Sequence, residues 1–333
     1  MQAEPAAGWS ETRAPEPPPP ARKSRPVLGF ALRAGAGLLI VALLLWHYDI
    51  RPVIHQLARE RLGYFLAVIA IYVAGQVMSA WRWSLLGGLL RIPAPFLDYL
   101  RYGFIGMFTN VFVPGLVGGD ALRAVYLGRR HQRMADAIAS VAADRIVGLL
   151  GLFWLAATAA AAMSVKLPRT VTLPTIAVGA VSLAGFLALP LLGALAARMQ
   201  ARIAAFAATV APYLERPLAM LPAAGLSVAL QLSLALCQWM LARGLGLSAP
   251  LMLFVLCVPI ANVFASLPVT LNGLGVRETT YLMLFGMAGM ARADAIALGL
   301  LWFAATALGN LTGVVAFVLT ETPPLRIAAE QSA

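Results

Sequence analysis

Apolar residues fall in long blocks along the chain, separated by short polar stretches dense in arginine. The first block covers 27–46 and carries Arg33 near its start; the second covers 62–86 and closes on Trp81, Arg82 and Trp83. Further blocks occupy 137–163, 171–196, 221–242 and 295–319, and a shorter one occupies 279–290. Blocks of about 20 apolar residues match the thickness of bilayer hydrocarbon, so each predicts a membrane helix. Two others, 97–117 and 251–271, are equally apolar but interrupted, the first by Gly103, Gly106, Asn110, Pro114 and Gly115 and the second by Pro259, Asn262 and Pro268. Interrupted helices are tolerated in lipid only where protein or a water-filled cavity satisfies the freed backbone groups. The pattern predicts an all-α, polytopic membrane helix bundle of about eight spans, some of them re-entrant or broken. Because basic residues flank 97–117 on both sides (Arg82, Arg91 and Arg101 before it, Arg123, Arg129, Arg130 and Arg133 after it), that segment is expected to enter and leave on one face.

Composition agrees. Hydrophobic residues make up 61% of the 333 and charged residues 12%, with a mean hydropathy of +0.82. Too little polar surface remains for a soluble domain. The net charge of +11 lies in short loops, as topology determinants do, with no basic and aromatic patch of the nucleic-acid-binding kind. An anionic lipid is the partner this implies, and no nucleic acid. Three regions follow: a basic, Pro-rich tail at 1–26 that lacks the apolar content to fold, a membrane domain at 27–320, and a short tail at 321–333. The basic flank of the first block puts the N-terminus on the cytoplasmic side of a multi-pass inner (plasma) membrane protein. The segment 198–213 reads as an amphipathic surface helix. Gln231 and Gln238 share one helix face and are expected to join helices by hydrogen bonds.

Chemistry concentrates in three places. Pro114 is followed four, five and nine residues later by Gly118, Gly119 and Arg123; Pro268 is followed at the same offsets by Asn272, Gly273 and Arg277. Asp120 precedes the first arginine and Glu278 follows the second. Each stretch reads as a glycine-rich loop turning into a helix, with Asp120 as N-cap of the first and Gly275 inside the loop of the second. Free N–H groups at a helix start, glycines that let a ligand approach, and an arginine fork together suit a phosphate. The two stretches are expected to form a cradle for one headgroup and to be related by an internal repeat. The third place is Asp144–Arg145, adjacent on a helix and so unable to pair with each other. Each needs a partner elsewhere: Arg123 or Asp120 for one of them, and Arg123 or Arg277 for Asp144. Two cysteines and three histidines show no metal-site spacing, so no metal, cofactor or catalytic group is expected.

Gly118-Gly-Asp-Ala-Leu-Arg123, Asp144-Arg-Ile-Val-Gly-Leu149 and Gly273-Leu-Gly-Val-Arg-Glu278 together resemble the membrane domain of bacterial lysylphosphatidylglycerol synthases and the stand-alone flippase-like proteins that share it. The resemblance spans roughly 25–320, with Asn272 standing where glycine is expected. It implies binding or translocation of a lipid with an anionic headgroup: a phospholipid, a polyprenyl-phosphate-linked lipid or a hopanoid-type lipid. The synthases' aminoacyl transferase is a separate soluble domain, so enzymatic activity is not expected of this chain. Two alternatives stay open: an intramembrane lipid-modifying enzyme using Asp120, Asp144 or Glu278, and a non-transporting partner of a lipid or glycan biosynthesis enzyme. Assembly with further copies of the chain is left open too.

Overall fold

The computed structural model describes residues 54–55, 60–112, 117–162, 167–191, 209–266 and 275–319. The tails, the block 27–46, most of 198–213, and Pro114, Pro268, Asn272 and Gly273 lie outside them. Among the described residues the fold is all-α, with no strand. Five helical stretches are long and apolar enough to cross a membrane: Leu62–Leu89, Met134–Ala162, Arg169–Leu187, Pro217–Gly244 and Arg292–Val318.

The first, α1 (Leu62–Leu89), ends where Arg91 takes a positive φ and Pro93 and Pro95 prevent continuation. Next comes a pair that is not two spans. Helix α2 (Phe96–Phe112) and helix α3 (Val117–Arg130) lie antiparallel, their open ends joined where Asp98 accepts from Arg130 Nε at 3.0 Å and meets His131 Nε2 at 2.9 Å. Tyr102 and Tyr126 stack across the pair with centroids 5.4 Å apart. The re-entrant expectation is therefore modified: the returning limb is the polar helix α3, which runs on past 117 to Arg130.

Helix α4 (Met134–Ala162) runs unbroken through Asp144–Arg145, and α5 (Arg169–Leu187) packs on its outer side. A 3-10 turn, Pro217–Met220, leads into α6 (Leu221–Gly244), which lies along α1 and α4. Close approach there needs small residues: a methyl group on Gly151 would meet Ser227. Helix α7 (Leu251–Ala265) continues through Pro259 and Asn262 and is capped at Ser266, so neither of those residues breaks it. Helix α8 (Val276–Met287) then folds back along α7, placing Phe285 against Phe254 at 5.0 Å. Helix α9 (Arg292–Leu311) and its continuation α10 (Gly313–Leu319) close the bundle, α10 packing on α2.

Two hairpins of like design, α2–α3 and α7–α8, thus occupy the positions of the two interrupted blocks, the geometry an internal repeat would produce. Large apolar side chains such as Leu66, Ile146, Val181 and Met283 stand exposed on the outside, facing where lipid tails would lie. The glutamine expectation is not met at Gln238, whose buried amide finds no hydrogen-bond partner among the described residues.

A backbone crossing holds the first hairpin together. A Cβ on Gly119 would land on the Gly106 carbonyl oxygen and on Asn110, whereas one on Gly88 would meet nothing. Gly119→Ala is expected to destabilise the detergent-purified protein by about 1–3 kcal/mol, and Gly88→Ala to leave its melting temperature unchanged or slightly higher. Glu60, just ahead of α1, has both carboxylate oxygens buried against Gly244 with no partner among the described residues. Burial pushes its carboxyl up to about 7 from 4.5. The folded state thus favours the protonated acid: the stability it brings is full below the unfolded value and is lost as pH rises through the folded one. Glu60→Gln should flatten the fall in melting temperature between those two values.

Candidate functional site

Three helices meet at Asp144, on α4 and 2% exposed. Its Oδ1 accepts from Arg82 Nε of α1 at 2.8 Å and its Oδ2 from Arg123 Nη2 of α3 at 3.0 Å. Arg82 Nη1 also donates to Ser227 Oγ of α6 at 2.9 Å, drawing in a fourth helix. Arg123 Nε lies 3.1 Å from Asp120 Oδ1, one turn earlier on its own helix. Asp120 in turn receives both Nε and Nη2 of Arg145, the latter at 2.8 Å, in a two-pronged pair. The Arg123 guanidinium sits over the Trp83 ring, 4.9 Å from its centroid, and Trp83 Nε1 donates to Ser140 Oγ at 3.0 Å. The result is a run of alternating charge, Arg145–Asp120–Arg123–Asp144–Arg82, in which each buried ion has an opposite neighbour. Three arginines against two aspartates leave one positive charge in excess, and the outermost member, Arg145, has a side chain 43% exposed.

The partners expected for Asp144 and Arg145 are both present: Arg123 for the one and Asp120 for the other. Arg82 is the member that sequence reasoning missed. The Trp81–Arg82–Trp83 group reads as a boundary anchor, but α1 continues to Leu89, so only Trp81 faces outward while Arg82 and Trp83 are buried. A charge several residues short of the end of an apolar run was the available signal.

Two expectations about the first motif need correction. Asp120 is not an N-cap, because α3 already starts at Val117 and places Asp120 within its first turn. Gly118 and Gly119 are helical rather than part of a ligand-facing loop: Gly119 packs on the α2 backbone, and its N–H donates to Asn110 Oδ1 at 3.0 Å. Protein has taken the place a ligand was expected to fill.

The second motif fits its reading better. Gly275, with φ of 83°, is the N-cap of α8, and Glu278 reaches back so that its Oε2 accepts from the Gly275 N–H. Arg277 is 7% exposed, and its Nε and Nη1 find no hydrogen-bond partner among the described residues. Tyr281 lies one turn further along α8, and its hydroxyl likewise has no hydrogen-bond partner among the described residues. The Tyr72 hydroxyl donates to Asn310 Oδ1 of α9 at 2.8 Å. Arg123 and Arg277 share no hydrogen-bond or ion-pair partner among the described residues: Arg123 is paired with Asp120 and Asp144, whereas Arg277 Nε and Nη1 bond to neither. The two motifs thus form two polar stations, each with its own arginine.

Helical hairpins, lipid-facing apolar surfaces and buried ion networks define a polytopic α-helical membrane protein. The family described as lysylphosphatidylglycerol synthase TM region matches residues 27–313, and the chain belongs to that family. Searches of curated proteins and of solved structures each returned no match. Among the described residues no group of His, Cys, Asp and Glu could hold a metal ion.

Asp144 is the most consequential member of the first station. Asp144→Asn leaves two buried guanidinium groups short of a carboxylate and is expected to cost about 3–5 kcal/mol of stability, whereas Ser227→Ala should cost about 1 kcal/mol. Denaturant titration in detergent reads both. Combining Asp144→Asn with Arg82→Gln should cost less than the sum of the single changes; simple additivity would mean that the two do not act as a pair.

Proposed function

We propose that the protein binds a lipid carrying an anionic, phosphate-type headgroup and moves it between leaflets of the inner membrane, without altering it covalently. The observation that carries this reading is the net positive charge at two polar stations within a membrane bundle. Ionisable groups in such places are costly and mark the paths of polar substrates. The one net positive charge of the first station favours an anion beside its exposed end at Arg145. Arg277, buried and without a hydrogen-bond partner for Nε or Nη1 among the described residues, adds a second cation. Asp120, Asp144 and Glu278 keep these arginines from holding a phosphate too tightly to release it. Asn272 and Gly273, which precede α8, belong to the second half of the path in this reading. The hairpin form of α2–α3 and α7–α8 supports it, since a hairpin anchored at one end can tilt without unthreading a span.

Purified protein in liposomes containing a trace of fluorescent phosphatidylglycerol provides the test, with external quencher reporting the lipid exposed on the outer leaflet. The wild type should equilibrate the label across both leaflets. Arg123→Ala and Arg277→Ala should slow exchange about tenfold or more, the loss of a charge-assisted bond worth about 1.5–3 kcal/mol. Because Arg123→Ala strikes the ion network, Arg145→Gln, at the exposed end, serves as the variant that keeps the fold. Unchanged exchange in all three would sink the assignment.

A further inference from the structure

We infer that the N-terminus of α8 is a seat for one singly charged phosphodiester, held by Arg277 with Tyr281 one turn further along the same helix. The inference rests on the reading above that an anionic lipid is the ligand, and it sharpens which station grips it. The stations differ in one decisive respect. In the first, the α3 N-terminus is occupied by Asn110, and Arg123 is held between Asp120 and Asp144 over the Trp83 ring. Arg123 Nε makes no hydrogen bond, but Asp120 lies 3.1 Å from it, so that charge is already met and only the exposed Arg145 end stays open to an anion. At the second, a guanidinium more than nine-tenths buried leaves Nε and Nη1 without partners among the described residues.

A buried arginine cannot discard its proton to escape the cost of desolvation, so it needs an anion. Glu278 does not supply it through a hydrogen bond. That carboxylate turns back onto the Gly275 N–H, and its other oxygen has no partner either. Gly299 of α9 faces the Glu278 side chain, which holds the carboxylate in a slot with no room for a Cβ. The Tyr281 hydroxyl, one turn further along α8, is a third buried group without a hydrogen-bond partner among the described residues. Two of these groups, the Arg277 fork and the Tyr281 hydroxyl, are donors that a phosphate oxygen pair would satisfy; the free Glu278 oxygen is an acceptor and stays unmet by a diester.

Charge balance selects the kind of phosphate. Arg277 and a helix N-terminus together offer about one and a half positive charges, from which Glu278 subtracts up to about one. A singly charged phosphodiester brings that sum to between about plus and minus one half, whereas a phosphomonoester would leave a buried negative excess of about one half to one and a half. Phosphatidylglycerol is the simplest membrane lipid of the favoured class. Free phosphate offers similar oxygens, so it must be tested beside the lipid.

The experiment measures the melting temperature of the purified full chain in a neutral detergent while one of four additives is titrated: phosphatidylglycerol, phosphatidic acid, phosphatidylcholine or inorganic phosphate. The wild type should be stabilised by phosphatidylglycerol at lower concentration than by any of the others. Arg277→Gln should raise the half-saturating concentration of phosphatidylglycerol about tenfold or more, while its lipid-free melting temperature rises, because an uncompensated buried charge has gone. A merely structural arginine would give the opposite shift in the lipid-free protein. Tyr281→Phe removes a hydroxyl that bonds to nothing in the described fold, so it should leave the lipid-free melting temperature in place and weaken binding about threefold. It keeps the test open should the arginine variant fail to fold.

Wild-type response to phosphatidylglycerol in both variants would overturn the seat while leaving lipid binding elsewhere intact. Equal stabilisation by inorganic phosphate, lost in the variants, would overturn the lipid as occupant. Tighter binding of phosphatidic acid would overturn the singly charged class. No stabilisation of the wild type by either anionic lipid would overturn the proposed function itself.

Discussion

A carboxylate buried among membrane helices is tolerable only if cations reach it, and Asp144 is reached by two. Removing two guanidinium groups and a carboxylate from water costs several kcal/mol per ion, which their attraction repays only when the geometry is good and the remaining donors are satisfied. Here Arg82 places its spare nitrogen on Ser227 and Arg123 lies over Trp83. These contacts fix the register of α1, α3, α4 and α6 against one another, a task that apolar packing in lipid performs poorly because lipid tails compete as equals for apolar surface. Small residues let the helices come close enough: Gly148 sits beside the Arg82 guanidinium and Gly151 against Ser227. Ion network and glycine contacts therefore depend on each other.

The two hairpins solve a second constraint. A helix that stops inside hydrocarbon exposes backbone donors and acceptors that lipid cannot satisfy. At α3 the solution is local protein: Asn110 reaches across from α2 to the Gly119 N–H. At α8 it is the helix's own third residue, Glu278, folded back onto Gly275. The first solution ties two helices together; the second ties a helix to itself. α8 is thus the less committed of the two toward its neighbours, and the polar groups around it remain partly unmatched.

Much of this fold was legible in the chain. Block length placed α1, α4 and α6 within about three residues and α5 and α9 by their starts, and the punctuation of the two interrupted blocks announced the hairpins. Adjacent charges on a helix must look outward for partners, and that rule put Arg123 among the candidates for Asp144 and Asp120 among those for the pair. What stayed hidden depends on depth and on packing. Arg82 between two tryptophans looks the same whether the helix ends there or continues to Leu89. Glycine is ambiguous in the same way: it permits a ligand or a neighbouring helix to approach, and at Gly119 the neighbour is α2. Pro259 predicts a break that α7 does not make, since a buried helix can lose one backbone bond and continue.

Arg123 and Arg277 show most clearly where sequence spacing stops being informative. Both follow a proline by nine residues and both lie beside an acid. Yet Asp120, three residues before Arg123, is on the same helix face and pairs with it, whereas Glu278, adjacent to Arg277, points about 100° away and cannot pair well. Whether the acid stands three residues before the arginine or one after it therefore separates a paired arginine from one without a hydrogen-bonded partner. The difference matters for a protein that must release what it binds. Freeing Arg123 for a headgroup means breaking a buried pair at about 3–5 kcal/mol, a cost that a headgroup contact would only just recover. Arg277 has no such pair to break, so an anion arriving there gains nearly the full interaction and can leave without rebuilding the bundle. By this argument the compensated station holds the fold and the uncompensated one does the exchanging.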